Sequence, residues 1–289
     1  MGHHARMDQR NMPTMRSKRL GNELRRLRTG KGLTVSEAAK QLGCGQPKIS
    51  QIENGNRGVK QGDLSLLLDL YEVGDDKYRQ RLKRLALDVY KVDWWTSQGP
   101  LIDALGDYLT LESDSSLVRV YEPILVPGLL QTEAYMRELF THRMAPDRVE
   151  SFVDTRIKRK EVLDDHLGFR FRTVIDEPAL HRIPGPRTLV AEQLRLLVSV
   201  GLRPNVTVQV LPMKAKFSVN QFAPFHLFTF RGQSSIDVVW LEHLKGGTLL
   251  EQEPEVQAYA DAWAELTAAA LSPTDSRRFI DALIEENRP

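Results

Sequence analysis

Cysteine is almost missing from this 289-residue chain, where Cys44 stands alone. One thiol cannot build an intramolecular disulfide framework, and such usage fits a reducing compartment. No run of about 18 apolar residues occurs, so no membrane-spanning helix is expected. The segment Met1–Met15 is polar and basic and lacks the apolar stretch that a secretory leader needs. Internal repeats and low-complexity segments are absent. So are GxSxG, the phosphate-binding P-loop pattern and GxGxxG. His166, His181, His226 and His243 are scattered without a ligand spacing such as HxxxH, and Ser199 and Ser234 carry no nucleophile signature around them. These absences point away from an enzyme and away from a bound metal or cofactor.

The charge is uneven along the chain. The formal net charge is only +2, but residues 1–60 hold 13 Lys and Arg against 4 Asp and Glu, and the rest hold 27 against 34. A basic end on an acidic remainder reads either as a polyanion-binding module or as a solvated tail. The length suggests two domains. The expected organisation is a flexible basic arm over 1–17, a helical domain over 18–92, and a larger α+β domain over 93–289.

Leu20, Leu24 and Leu27 recur at helical spacing, and Gly30 and Gly32 end that helix. Thr34-Val35-Ser36-Glu37 reads as a capping box opening a second helix, which carries Ala38, Ala39 and Leu42 and stops at Gly43. A third helix runs from about Gln46 to Glu53. Pro47 is tolerated in its first turn, where no intrahelical N–H partner is lost, and Asn54-Gly55 ends it. Two more helices follow, one marked by Leu64, Leu67, Leu68 and Tyr71 and one over 75–90, completing a five-helix all-α domain.

The pair of short helices over Val35–Asn54 has the makings of a helix-turn-helix. A steep crossing needs a small residue, supplied by Ala39, and a turn residue at positive φ, supplied by Gly43. Ile49 and Ile52 pin the second helix to the first. Gln46, Pro47, Lys48, Ser50 and Gln51 are left facing outward or sideways. Gln bonds adenine bidentately and Lys reaches guanine or phosphate, each strong base contact being worth about 1–3 kcal/mol of discrimination. Pro47 has no polar group, so its contact is apolar, with a thymine methyl. Arg6, Arg10, Arg16, Lys18, Arg19, Arg25 and Arg26 are candidates to neutralise phosphates, Arg16, Lys18 and Arg19 first among them. Cys44 in the turn reads as a small filler or as a redox-sensitive thiol beside DNA, and no basic neighbour argues for the thiolate.

Over residues 18–72 this pattern, from Leu33-Thr34 through Gly43, Gln46, Ile49, Ile52 and Glu53-Asn54-Gly55, resembles the XRE family, the helix-turn-helix domain of phage repressors and Cro. The resemblance implies that Gln46, Pro47 and Gln51 touch bases and that Lys48 and Ser50 support them. It implies that Ser36, Arg57 and Lys60 serve the phosphate backbone. It further implies a buried pair, Arg28 with Glu53, whose loss would cost about 3–5 kcal/mol.

Texture changes after Trp94-Trp95, which read as a core hinge or as an exposed anchor. A helix is expected over 100–112. Strands are expected at Val118–Val126, Phe169–Ile175, Val206–Leu211, Phe225–Phe230 and Ile236–Glu242, the last two forming a hairpin. Helices are expected at Gln131–Phe140, Asp147–Asp164, Arg187–Val200, Glu255–Ala270 and Pro273–Glu286. This mixture predicts an α+β domain with a mixed or antiparallel sheet. Thr132 stands where it can cap a helix, and Gln131 where it can meet a polar ligand. Arg156 and Arg159-Lys160 share one helix face, either solvated or turned toward a buried carboxylate. Glu122 and Glu177 are the candidate partners of Arg156. Glu122, Gln131, Thr132, Arg156 and Glu177 together form a candidate effector or partner site.

Trp94-Trp95, Asp103-Ala104-Leu105, Leu109–Glu112, the run from Glu122 to Thr132, Arg156, Glu177, Gln193-Leu194, Pro204–Pro212 and Glu242 carry a second resemblance, over Leu20–Ser276. It is to an abundant group of actinomycete regulators that pair an XRE domain with a C-terminal domain of unknown function. The resemblance implies an antitoxin-like regulator encoded beside a small partner protein. The expected function is a cytoplasmic, nucleoid-associated homodimer that represses transcription from a palindromic operator on double-stranded DNA. Its half-sites would lie about 10 bp apart or a multiple of that. The weighed alternatives are a protein-interaction module whose DNA binding is mainly autoregulatory, and a small-molecule sensor with a pocket near Glu122, Gln131 and Arg156.

Overall fold

The computed structural model describes residues 14–91, 93, 103–141, 144–165, 168–216, 223–230, 237–243 and 246–288. Most of the expected basic arm, Trp94-Trp95, His166 and the turn of the expected hairpin lie outside these residues. The chain divides into two compact units, whose described residues lie within 14–93 and 103–288.

The first unit is five helices: α1 (Met15–Gly30), α2 (Val35–Gln41), α3 (Gln46–Glu53), α4 (Gln61–Leu70) and α5 (Asp76–Asp88). α1 starts inside the segment expected to be arm, because Thr14 caps it by accepting a hydrogen bond from the Ser17 amide. The capping box at α2 forms in both directions between Thr34 and Glu37. The left-handed turns fall at Gly43 (φ 60°) and Gly55 (φ 74°). Leu20 and Leu24 of α1, Ala38 and Ala39 of α2, and Ile49 and Ile52 of α3 bury together with Leu64, Leu67 and Leu68 of α4. Cys44 packs against this core as the filler reading expected.

A second close crossing, between α1 and α3, is made at Gly21. A Cβ on Gly21 would lie 2.5 Å from the Ile52 carbonyl oxygen and 2.6 Å from that of Glu53. α1 therefore meets the end of α3 backbone to backbone, and only glycine permits it. No local pattern marks this position, since a mid-helix glycine also fits an exposed surface.

The second unit is built on a six-stranded mixed sheet in the order β3-β2-β1-β4-β5-β6. β1 (Ser115–Glu122), β2 (Arg170–Asp176) and β3 (Val206–Leu211) run parallel. β4 (Phe225–Phe230), β5 (Val238–His243) and β6 (Gly246–Leu250) add antiparallel. β1 lies earlier than expected: it leaves helix α6 (Asp103–Asp114) directly and ends before Pro123, which has no N–H for a ladder. β6 was not expected at all, because Gly246-Gly247 has poor strand propensity. It pairs with β5, and a Cβ on Gly247 would lie 2.0 Å from the Trp240 ring, so the indole occupies the space that a side chain would take.

The two faces of the sheet are dressed differently. Tyr121, Phe225, Leu227 and Val239 share one face and pack with Trp263 and Leu266 of α11 (Glu253–Ala269). Register puts Val120, His226 and Trp240 side by side on the other face, with Glu122 and Glu242 two residues on in their strands. Tyr108 of α6 stands over that face, edge-on to His226, Phe228 and Trp240. The β1-to-β2 connection holds α7 (Glu133–Thr141) and α8 (Pro146–Arg159), which share the cluster of Met136, Phe140, Val149 and Val153. A 3-10 segment, Lys160–Asp164, completes the expected helix over 147–164. The β2-to-β3 connection holds the short α9 (Glu177–His181) and α10 (Arg187–Val200), and α12 (Pro273–Glu286) packs on β3 and α10. Among the described residues no helix is long and apolar enough to cross a membrane.

Candidate functional site

α3 presents Gln46, Pro47, Ser50 and Gln51 to solvent while Ile49, Ile52 and Glu53 are buried. That division is what a recognition helix requires: one face fixes it to the domain, the other offers donors, acceptors and apolar surface to base edges. Lys48 is less available than expected. Its ammonium lies 2.7 Å from Asp63 of α4, so a base or phosphate contact would compete with that ion pair.

The expected Arg28–Glu53 pair is present and buried. Nε and Nη2 of Arg28 donate to the two carboxylate oxygens of Glu53 at 2.7 and 2.9 Å. The remaining amine, Nη1, donates to the Leu33 carbonyl at 2.6 Å. One guanidinium thus joins α1, the α1–α2 turn and the end of α3. The hydrogen bond to Glu53 raises the Arg28 pKa above its ordinary value, outweighing burial.

The residues expected on phosphates separate into two groups. Arg57 and Lys60 after α3 and Ser36 at the start of α2 are exposed, and Lys18 and Arg19 are half-buried on α1. Arg16 corrects the expectation. It is 2 % exposed, and its fork grips Asp93 at 2.8 and 2.9 Å, so it ties the start of α1 to the segment after α5 rather than facing a phosphate. Arg25 and Arg26 are likewise engaged: Arg25 bonds the Glu53 carbonyl and Asn54, and Arg26 bonds Glu23 and Tyr78.

In the second unit the structure gathers Glu122, Gln131 and Arg156 around one cavity of ≈ 320 Å³. Thr132 and Glu177 stand elsewhere. Thr132 caps α7 through its hydroxyl, and its amide donates to the buried Gln193. Glu177 accepts from the Met213 amide and pairs with His181. Arg156 does not form an ion pair with Glu122 or Glu177. Its Nη1 donates to Gln131 Oε1 at 3.3 Å, and its Cζ lies 4.8 Å from the Phe140 ring centre. Gln131 is held in turn by donating to the Val126 carbonyl at 2.7 Å. Burial, reinforced by the neighbouring Arg159, pushes the Arg156 pKa down to about 10.

The arginine that does find a carboxylate is Arg159, which grips Glu112 at 2.6 and 2.7 Å and lies over the Tyr108 ring. The shared face of Arg156, Arg159 and Lys160 is therefore not a solvated stripe. Lys160 too is engaged, donating to the Gln131 carbonyl. Tyr108 and Nδ1 of His226 are 2.8 Å apart, while Nε2 of His226 lies 3.5 Å from Glu122 and has no hydrogen bond. Sequence reasoning missed Glu112, Arg159, Tyr108, His226 and Gly128 as parts of one site. For His226 a signal existed: a polar residue on the inward face of an otherwise apolar strand.

The geometry of the first unit defines a helix-turn-helix DNA-binding domain, and comparison with known families agrees: a helix-turn-helix domain model matches residues 19–82. The model described as a domain of unknown function (DUF5753) matches residues 105–282, more than half of the chain, and the protein belongs to that family. No curated protein and no solved structure gives a match. A DNA-binding regulator is the coarse class these findings support.

Proposed function

We propose that the protein is a sequence-specific transcriptional regulator of XRE type that acts as a repressor. α3 enters the major groove, Gln46 and Gln51 read bases, Pro47 offers an apolar contact, and Ser50 and Lys48 support them. Arg57, Lys60, Ser36, Lys18 and Arg19 serve the backbone. A homodimer would place two copies of α3 in successive major grooves of a palindromic operator. The observation that carries this reading is the split of α3 between a buried, ion-paired inner face and an exposed Gln46-Pro47-Ser50-Gln51 face.

The test is direct. Sites selected from genomic DNA by the purified chain supply the operator, and Gln46→Ala and Gln51→Ala are then titrated against it by fluorescence anisotropy. Each substitution is expected to cost about 1–3 kcal/mol of specific affinity while leaving non-specific binding intact. Unchanged operator affinity in both variants would sink the proposed readout.

The second unit is assigned the control of this binding. The cavity at Glu122, Gln131 and Arg156 favours the sensor reading, in which a small molecule taken up there sets the affinity for DNA. The resemblance implies a second input, a small neighbour-encoded protein. In either case the protein binds rather than transforms its partners.

A further inference from the structure

Arg156 is a half-buried cation whose Nε is enclosed, and it has no charged partner among the described residues. Among the described residues no carboxylate reaches it within ion-pair distance, and its Nε is buried without a hydrogen bond. Its other contacts are Gln131 and the rings of Phe140 and Phe152. A buried guanidinium costs free energy unless it is paired. One turn along the same helix, Arg159 is closed by Glu112, so a structural solution for a buried arginine exists at this very place and is not given to Arg156.

Both guanidinium groups close on the loop opposite, at Gly128, which lines the same cavity. A Cβ on Gly128 would stand 3.1 Å from Nη1 of both Arg156 and Arg159. The two forks therefore converge on a position that glycine keeps free of side chain. Convergent, partly unused guanidinium N–H groups at a cavity wall are receptors for a carboxylate or a phosphate.

The sheet wall of the same cavity has the opposite character. Glu122 and Glu242 line it, together with His226, whose Nε2 has no hydrogen bond. A simple anion would meet these two carboxylates as well as Arg156. A simple cation would meet them but leave Arg156 unpaired. A molecule bearing both charges satisfies both walls at once. At ≈ 320 Å³ the cavity is at the small end of ligand sites, which span about 300–1,000 Å³. The rest of its lining includes Phe140, Phe152 and Trp240.

We infer that the cavity binds a small amphoteric molecule of amino-acid type. Its carboxylate pairs with Arg156, its ammonium group faces Glu122 and Glu242, and its apolar or aromatic body lies against Phe140, Phe152 and Trp240. This deepens, and rests on, the sensor reading of the second unit.

Three probes with one shared body test the charge pattern on the full chain: L-phenylalanine, 3-phenylpropanoate and 2-phenylethylamine. Thermal melting and calorimetric titration at millimolar ligand are the readouts. L-Phenylalanine is expected to raise the melting temperature and to bind about tenfold or more tightly than either half-probe, since each lacks one charge-assisted contact. Arg156→Met should erase its advantage over phenylethylamine, and Arg156→Lys should restore part of it. Glu242→Gln and Glu122→Gln should reduce its advantage over phenylpropanoate. No stabilisation by any probe overturns the assignment, as does binding that Arg156→Met leaves unchanged. Phenylpropanoate binding as tightly as L-phenylalanine replaces the amphoteric class by a plain acid. Anisotropy on the selected operator, with and without L-phenylalanine, separates the two levels. A probe that binds without altering operator affinity removes the sensor reading and leaves the ligand class standing. An Arg156→Met chain that binds operator normally while no probe binds to the wild type removes only the ligand class.

Discussion

Arg28 and Arg156 are both arginines on helices whose side chains turn into the fold, and the two units treat them in opposite ways. Arg28 spends its fork on Glu53 and its remaining amine on Leu33. Arg156 holds one long hydrogen bond to Gln131 and faces a cavity. The first arrangement is closed: each direction of the guanidinium is answered from within the chain, and the result is a fixed angle between α1 and α3. The second is open, and Arg159 with its bidentate Glu112 beside it shows that openness is a property of the position, not of the helix. A closed pair belongs to a scaffold, and an open one belongs to a site. The first unit thus ties its helices together through a closed pair, while the second leaves an arginine open to a cavity.

The same substitution in three places is the strongest way to break this contrast. Arg28→Met and Arg159→Met each strand a buried carboxylate and are expected to lower unfolding free energy by about 3–5 kcal/mol, measured by urea titration. Arg156→Met strands no carboxylate and removes only the long hydrogen bond to Gln131, so the same titration should show a change below about 1 kcal/mol or a gain. Equal losses at all three positions would mean that Arg156 is as closed as the others.

A second experiment addresses the contact between α1 and α3 in the helix-turn-helix unit. Gly21→Ala forces a Cβ into the carbonyls of Ile52 and Glu53, which lie 2.5 and 2.6 Å from where it would stand. A loss of about 1–3 kcal/mol is expected, together with weaker operator binding as α3 is displaced. Gly62 of α4, with no atom near its Cβ position, is the control, and Gly62→Ala should leave operator binding unaltered and stability equal or slightly raised. Comparable in size but confined to DNA are the effects of Gln46→Ala and Gln51→Ala, at about 1–3 kcal/mol of affinity each with no change in melting.

The smallest expected effect is a pH dependence at the mouth of α2. Hydrogen bonds from the Thr34 backbone and hydroxyl hold the Glu37 carboxyl below its ordinary value of 4.5. A carboxylate lowered on folding stabilises the protein above its unfolded value, and that contribution is lost as pH falls through the folded one. The melting temperature of Glu37→Ala should therefore converge with that of the wild type as pH drops below about 4 and separate again toward neutrality. A difference independent of pH would show that the box acts without its charge.

Much of the first unit was legible in the sequence. The capping box at Thr34, the stop at Gly43, the inner Ile49 and Ile52 and the outer Gln46 and Gln51 all lie within one short stretch, and their roles follow from helix period and capping chemistry. The second unit was legible in its class and in five of its strands, with β1 displaced and β6 missed. The candidate site there was half right. Glu122, Gln131 and Arg156 meet at the cavity, while Thr132 is an internal cap and Glu177 a support for the Met213 amide. Arg16, chosen from a run of positive charge, is a structural residue, because a charge count does not say which cation an acidic side chain such as Asp93 will claim.

The sequence by itself determined that this chain has a helix-turn-helix, since that unit is specified by neighbours: spacing, caps and one positive-φ glycine act within a few residues of each other. The cavity was decided by tertiary structure. Tyr108 and His226 are 118 residues apart, and Glu112 and Arg159 are 47 apart. Only the pairing of β1 with β4 and the packing of α6 and α8 near that face of the sheet bring them together. Which arginine is satisfied and which is left open is a matter of distances that no local pattern encodes.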